Sequence, residues 1–118
     1  MTFIKKEDRI MLLVEGHVCE NCQDKILKPN TTDAAGEKHV PVATFEGDVL
    51  TVNVGSVEHP MTEAHHIAWI YVETKDGSLF KRLPHTGKPV AQFHVAKEDV
   101  VAVYEYCNLH GLWKVDIE

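Results

Sequence analysis

From Val42 to Ile117 the chain is a succession of short β-prone runs separated by turn residues, and this pattern constrains the fold more than anything else in it. The runs are Val42–Phe45, Val49–Val54, Ile67–Thr74, Leu79–Leu83, Val90–Val95, Val100–Tyr106 and Leu112–Ile117. Glu46-Gly47-Asp48 and Lys75-Asp76-Gly77-Ser78 read as the tight turns of two hairpins. Val52 and Val54 alternate with Thr51 and Asn53, as in a strand with one buried face. Pro41 favours an edge or loop position at the start of the series, because proline cannot donate to a ladder. No stretch carries the periodicity of a long helix. About seven short strands at close spacing predict an all-β fold, an antiparallel β-sandwich with Greek-key connections.

The first thirty residues read differently. Lys5 to Arg9 looks like a solvated charge cluster, Ile10–Val14 like a single strand, and Glu15-Gly16 like a turn. His17, Cys19 and Cys22 then lie in a polar loop ending near Pro29-Asn30. This segment has too little apolar mass for its own core. The expected organisation is therefore a short N-terminal arm, 1–30, and a sandwich domain, 31–118. Residues 31–39 form a short helical or irregular connection. Cys19-x-x-Cys22 has three readings: idle thiols, half of a metal knuckle that a second chain completes, or a redox disulfide.

The net charge of −6 leaves no basic surplus for nucleic acid. No apolar run approaches a membrane span, and no secretory h-region is visible, so the expected compartment is the cytoplasm. Three cysteines do not suggest a disulfide framework.

Near the C-terminus Cys107-Asn108-Leu109-His110 puts a thiol and an imidazole three residues apart, between a strand and a glycine. Both are good ligands for a late first-row metal. His39, His59 and His65 fall in turns upstream, beside strand-breaking residues, where sandwich loops can converge. His85 and His94 read as solvated. His65 and His66 enter a strand together and point to opposite sides, so only one of them easily reaches a shared site. Cys107 alone could equally be a small core hydrophobe.

Three segments together carry a resemblance: Glu37-Lys38-His39-Val40-Pro41-Val42, then Gly55 to Thr62 with His65, then Glu105 to Trp113. Over residues 31–118 the chain resembles the superoxide reductases, the neelaredoxin and desulfoferrodoxin proteins. The resemblance implies an immunoglobulin-like β-sandwich holding one mononuclear iron. It makes His39, His59, His65 and His110 the equatorial ligands and Cys107 the axial one, and it selects His65 over His66. It assigns Glu37 to the sixth position of ferric iron and Lys38 to attraction of superoxide. It implies one-electron reduction of superoxide to hydrogen peroxide, re-reduction by rubredoxin or a similar small donor, and a homo-oligomer, dimer or tetramer. Desulfoferrodoxins add an N-terminal iron held by four cysteines, two of them adjacent. That adjacent pair is absent here, so a second metal at Cys19 and Cys22 is not expected. Backbone amides of Asn108 and Leu109 are expected to hydrogen-bond the Cys107 sulfur.

Two rivals use the same residues. A cupredoxin-like electron carrier also uses Cys-x-x-His, but it wants one upstream histidine and a methionine after the last, and no methionine follows His110. A binding module with structural zinc needs four ligands and a closed site, which five donors fit poorly.

Overall fold

The computed structural model describes Met1–Glu118. Nine strands form three antiparallel sheets: β1 (Thr2–Lys6), β2 (Arg9–Leu13), β3 (Pro41–Glu46), β4 (Val49–Val54), β5 (Ile67–Thr74), β6 (Ser78–Arg82), β7 (Val90–His94), β8 (Val100–Cys107) and β9 (Gly111–Asp116). The only α-helix, α1, is one turn long, Gly36–His39. Strands β3–β9 make the sandwich, a three-stranded sheet β3-β4-β7 against a four-stranded sheet β6-β5-β8-β9. The chain changes sheet at β4–β5, β6–β7 and β7–β8, the Greek-key connection of an immunoglobulin-like sandwich. Pro41 begins β3, an edge strand, where its missing N–H costs no ladder bond. No helix is long and apolar enough to cross a membrane.

Alternation within the strands builds the core between the sheets. Leu50, Val52 and Val54 of β4 meet Ile70 and Val72 of β5 and Val103 and Cys107 of β8, all essentially inaccessible. Each such aliphatic side chain contributes roughly 1.5–3 kcal/mol by leaving water. Ile67 and Ile70 both enter this core although they are three residues apart. A register shift between Ile67 and Trp69 makes this possible: Ala68 bulges out of the ladder with β8, and its carbonyl accepts from the Leu83 amide at 3.0 Å.

The N-terminal segment is more structured than its charges suggest. Lys5 and Lys6 lie in β1, which pairs with β2 from Thr2↔Leu13 to Lys6↔Arg9, and Glu7 turns the hairpin at φ +59°. The charge cluster is thus a hairpin tip with a strand on each side. Its polar residues hid Thr2-Phe3-Ile4 as strand formers. The hairpin lies on the outer face of the four-stranded sheet. There Phe3 packs with Tyr71, Tyr104, Tyr106 and Leu112, flanked by Ile10, Leu12 and Trp69. Phe3 lies 5.4 Å from Trp69, 5.4 Å from Tyr71 and 5.5 Å from Tyr104, ring centre to ring centre.

A 3₁₀ segment, Glu20–Lys25, follows the hairpin, and Leu27 then donates to the Phe3 carbonyl at 2.9 Å. Asn30, at φ +62°, is bound to β9 by three hydrogen bonds. Its amide donates to Leu112 O at 3.1 Å, its Nδ2 donates to Lys114 O at 3.1 Å, and its Oδ1 accepts from the Lys114 amide at 2.8 Å.

Candidate metal centre

Four segments deliver five donor side chains to one end of the sandwich. His39 is the last residue of α1, His59 lies in the loop after β4, His65 precedes β5, and Cys107 and His110 bracket the turn between β8 and β9. Their ligand atoms all lie within 4.8 Å of one another. The rings form a cycle, with centroids 4.7 Å apart for His39–His59, 4.6 Å for His59–His65, 5.0 Å for His65–His110 and 4.9 Å for His110–His39. His39 and His65, across the cycle, are 6.5 Å apart, close to the diagonal of a square with these sides. The Cys107 sulfur approaches from the core, 3.6 Å from His59 Nε2 and 3.9 Å from His110 Nδ1.

Each ring is held from behind. His39 Nδ1 donates to Ala35 O at 2.7 Å, and His59 Nδ1 donates to Pro60 O at 2.7 Å. A ring nitrogen facing a carbonyl carries the proton, so the Nε2 of both rings presents a lone pair to the centre. His65 is set by a Thr62-x-x-His65 turn. Thr62 Oγ1 accepts from the His65 amide at 3.1 Å, and the Thr62 amide donates to His65 O at 2.9 Å. Asn108 ties this loop to the β8–β9 turn: its Oδ1 accepts from the His66 amide at 2.9 Å and its Nδ2 donates to Ala64 O at 2.9 Å. Trp113 supports two ligands at once. Its ring stacks on His39 at 4.9 Å and its Nε1 donates to His110 O at 3.1 Å.

Two glycines make the close approaches possible. Gly55, at φ +85°, leaves no room for a Cβ, which would meet the backbone carbonyls of Glu37 and Lys38 at 2.8 and 2.7 Å. Gly111, at φ +82°, starts β9 directly after His110.

The electrostatics match these contacts. Burial lowers His39 and His65 from the usual imidazole value and brings His59 down to about 4, so all three rings are neutral near pH 7. Burial raises the Cys107 thiol, while the His110 and Leu109 amides donate to its sulfur and pull the other way. The amides at the sulfur are therefore those of Leu109 and His110. The expected Asn108 amide instead donates to His66 O at 3.2 Å, one step beyond the last β5–β8 pair, Ile67↔Cys107. Glu105, fully buried beside Cys107 on β8, has no partner for either oxygen, and burial raises it well above the carboxylate range.

The sequence expectations separate cleanly. His66 turns away from the cycle: its Nδ1 lies against the carbonyls of Thr62 and Glu63, and its ring stacks on His85 at 4.1 Å. His94 is exposed, and so is His85 apart from that stack. Glu37 and Lys38 are exposed on α1. The Lys38 charge lowers both His39 and His65, and Glu37 raises His39. The side-chain roles of Thr62, Asn108 and Trp113 were not anticipated from sequence. Only the threonine three residues before His65 carried a readable turn signal.

The donor set fits a cation. The Nε2 lone pairs of His39 and His59 face each other at 3.2 Å with no proton between them, and the His65 Nε2 is buried without a partner. Such nitrogens are stable together only around a positive charge. Five donors exceed a closed tetrahedral zinc site, and four imidazoles in a square do not make a trigonal copper site.

An immunoglobulin-like sandwich with one N₄S donor cluster at its end defines a mononuclear non-haem iron protein. Comparison with known proteins narrows the class. The desulfoferrodoxin family profile matches residues 31–116. A desulfoferrodoxin from Clostridium acetobutylicum is 44% identical over 117 residues, 96% of this chain and 92% of that protein. A superoxide reductase from Pyrococcus abyssi is 36% identical, over 73% of this chain and 90% of its own. The crystal structure of the superoxide reductase from Treponema pallidum superposes with a TM-score of 0.80 at 35% identity, covering 98% of this chain and 99% of that one. The chain belongs to the desulfoferrodoxin family, and its cluster of four histidines and one cysteine fits one mononuclear iron.

Proposed function

We propose that the protein is a superoxide reductase, converting superoxide, one electron and two protons into hydrogen peroxide, with His39, His59, His65, His110 and Cys107 as the iron ligands. One observation carries this reading: four imidazoles form a square, and the thiol reaches it from the core side. Glu37 and Lys38, both exposed, directly precede the ligand His39 on α1. Bound iron would supply a one-electron couple and Lewis acidity toward a small anion.

The residues divide the rest of the work. The imidazoles add no negative charge that would repel an anion. The Leu109 and His110 amides hold charge on the Cys107 sulfur and temper its donation to the metal. Lys38 places a positive charge beside the centre of a chain with net charge −6, so it draws the anion toward one spot. Glu37, one residue earlier, would offer a carboxylate oxygen to bound ferric iron. Leu109 is 59% exposed and Val57 50% exposed; Leu109 lies between Cys107 and His110, and the Val57 amide donates to Glu37 O at 2.9 Å. Each leaves apolar surface on a segment that carries a ligand or adjoins α1, which suits docking of a small electron donor of the rubredoxin kind.

The test is stoichiometric. Reduced protein exposed to a pulse of superoxide is expected to yield one peroxide per iron oxidised and no dioxygen. Release of dioxygen would mean a dismutase. Lys38→Ala is expected to keep its iron and slow capture by about tenfold or more, an effect that shrinks with added salt. Unchanged pulse-radiolysis rates would remove Lys38 from the mechanism.

A further inference from the structure

The iron centre leaves two sulfurs unused. Cys19 and Cys22 are free thiols on the N-terminal segment; Cys19 is exposed and Cys22 half-buried. We propose that they form a reversible dithiol–disulfide site, a two-electron redox pair that exchanges with small disulfides and dithiols.

The backbone brings them together. The Cys22 amide donates to Cys19 O at 2.9 Å, which closes a turn across the pair. Such a turn holds its end Cα atoms within about 7 Å, and a disulfide spans roughly 4.4–6.8 Å between Cα atoms. Cys22 also lies within the 3₁₀ segment Glu20–Lys25, in which positions three apart eclipse one another. The side chains do interact: Cys19 holds the Cys22 thiol protonated above its usual range, while Lys6 and Lys25 act in the opposite sense. Lys6 and Lys25 therefore partly offset the rise at Cys22, which eases loss of its proton when it attacks as the second thiol.

The segment is also anchored. Ile26 bridges Ile4 of β1, and Leu27 donates to Phe3 O at 2.9 Å directly after the 3₁₀ segment. The turn can therefore change oxidation state without unravelling the hairpin. With no other cysteine or histidine grouped with the pair, one chain supplies two of the four ligands that a closed thiolate metal site requires.

The step balances as thiol–disulfide exchange. The more exposed Cys19, as thiolate, attacks a small disulfide such as oxidised glutathione, forming a mixed disulfide and releasing one thiolate. Cys22 gives up its proton, attacks the Cys19 sulfur and expels the second thiolate. The pair loses two electrons and two protons, and the small disulfide gains them. A dithiol reverses both steps.

Incubation of the iron-loaded protein in glutathione buffers of graded ratio, followed by acid quench and tryptic mass analysis, tests this. The peptide Ile10–Lys25 is expected to lose two hydrogens as the oxidised fraction rises, and to regain them with dithiothreitol. Peptide Glu98–Lys114, carrying Cys107, and the iron content are expected to stay unchanged, so the outcome is separable from the iron reading. Cys22→Ser is expected to stall as a stable glutathione adduct on Cys19. Inert thiols, a stable adduct in the unsubstituted protein, a disulfide between two chains, or a tetrathiolate metal shared by two copies would each overturn the proposal. So would a Cys22→Ser protein that sheds its adduct.

Discussion

The two faces of the four-stranded sheet are built from the same strands and do different work. On β8 the residues Val103, Glu105 and Cys107 point inward, while Ala102, Tyr104 and Tyr106 point outward. Apart from the buried Glu105 carboxyl, the inner face is aliphatic, and it ends in the thiol of the metal centre. The outer face is aromatic and carries the N-terminal hairpin through Phe3. One strand thus couples two packing problems without mixing their chemistry. The inner face needs fixed shape, because five donors must meet within 4.8 Å. The outer face needs only area, and aromatic rings supply it with some tolerance of angle.

If the faces are separable, changes on one side should spare the other. The largest effect is expected for Cys107→Ala: loss of the bound iron and of its visible absorption on oxidation, with the hairpin still docked, as judged by native-state hydrogen exchange of Phe3 and Leu27. Undocking of the hairpin in that variant would break the separation. Next, Phe3→Ala should cost about 3–5 kcal/mol in denaturant unfolding while iron content stays at one per chain. Loss of iron in that variant would show that the outer face also positions the ligands.

Asn108→Ala sharpens the inner side. It removes the two side-chain bonds that join the His65 loop to the β8–β9 turn, so iron affinity should fall by roughly 10–100-fold, a range typical of outer-shell partners. Competition with a chelator reads this out. The smallest effect belongs to the outer face. Tyr104 is raised from 10.0 to about 12 by burial and by Glu73, whose Oε1 accepts from its hydroxyl at 3.3 Å. Its folded value exceeds its unfolded one. Its contribution is therefore whole below pH 10 and declines as pH rises toward about 12, where the unfolded chain ionises first. Tyr104→Phe should flatten the fall in stability over that window, measured by urea unfolding.

The sandwich was legible because its strands alternate and its turns carry glycine and aspartate, as at Glu46-Gly47-Asp48 and Lys75-Asp76-Gly77. The five donors were legible through three separated motifs taken together; Cys107 alone reads as a core residue. The covered outer face was not recognised, although a signal existed. Val100–Tyr106 is apolar on both faces except for Glu105, and a run with two apolar faces belongs to a strand buried on both sides. The bulge at Ala68 was illegible, since it depends on pairing with β8 rather than on local sequence. The Asn108 amide was assigned to the sulfur by proximity in sequence alone, and the His66 carbonyl across the loop takes it instead.

The three-bond clip of Asn30 on β9 has a consequence for assembly. β9 is the terminal strand of its sheet, and its outward rim at Leu112 and Lys114 would otherwise offer free carbonyls and an amide to any passing strand. One linker residue occupies that rim and blocks it as a template. Within the four-stranded sheet, a second copy adding strand by strand would therefore find only the β6 edge open.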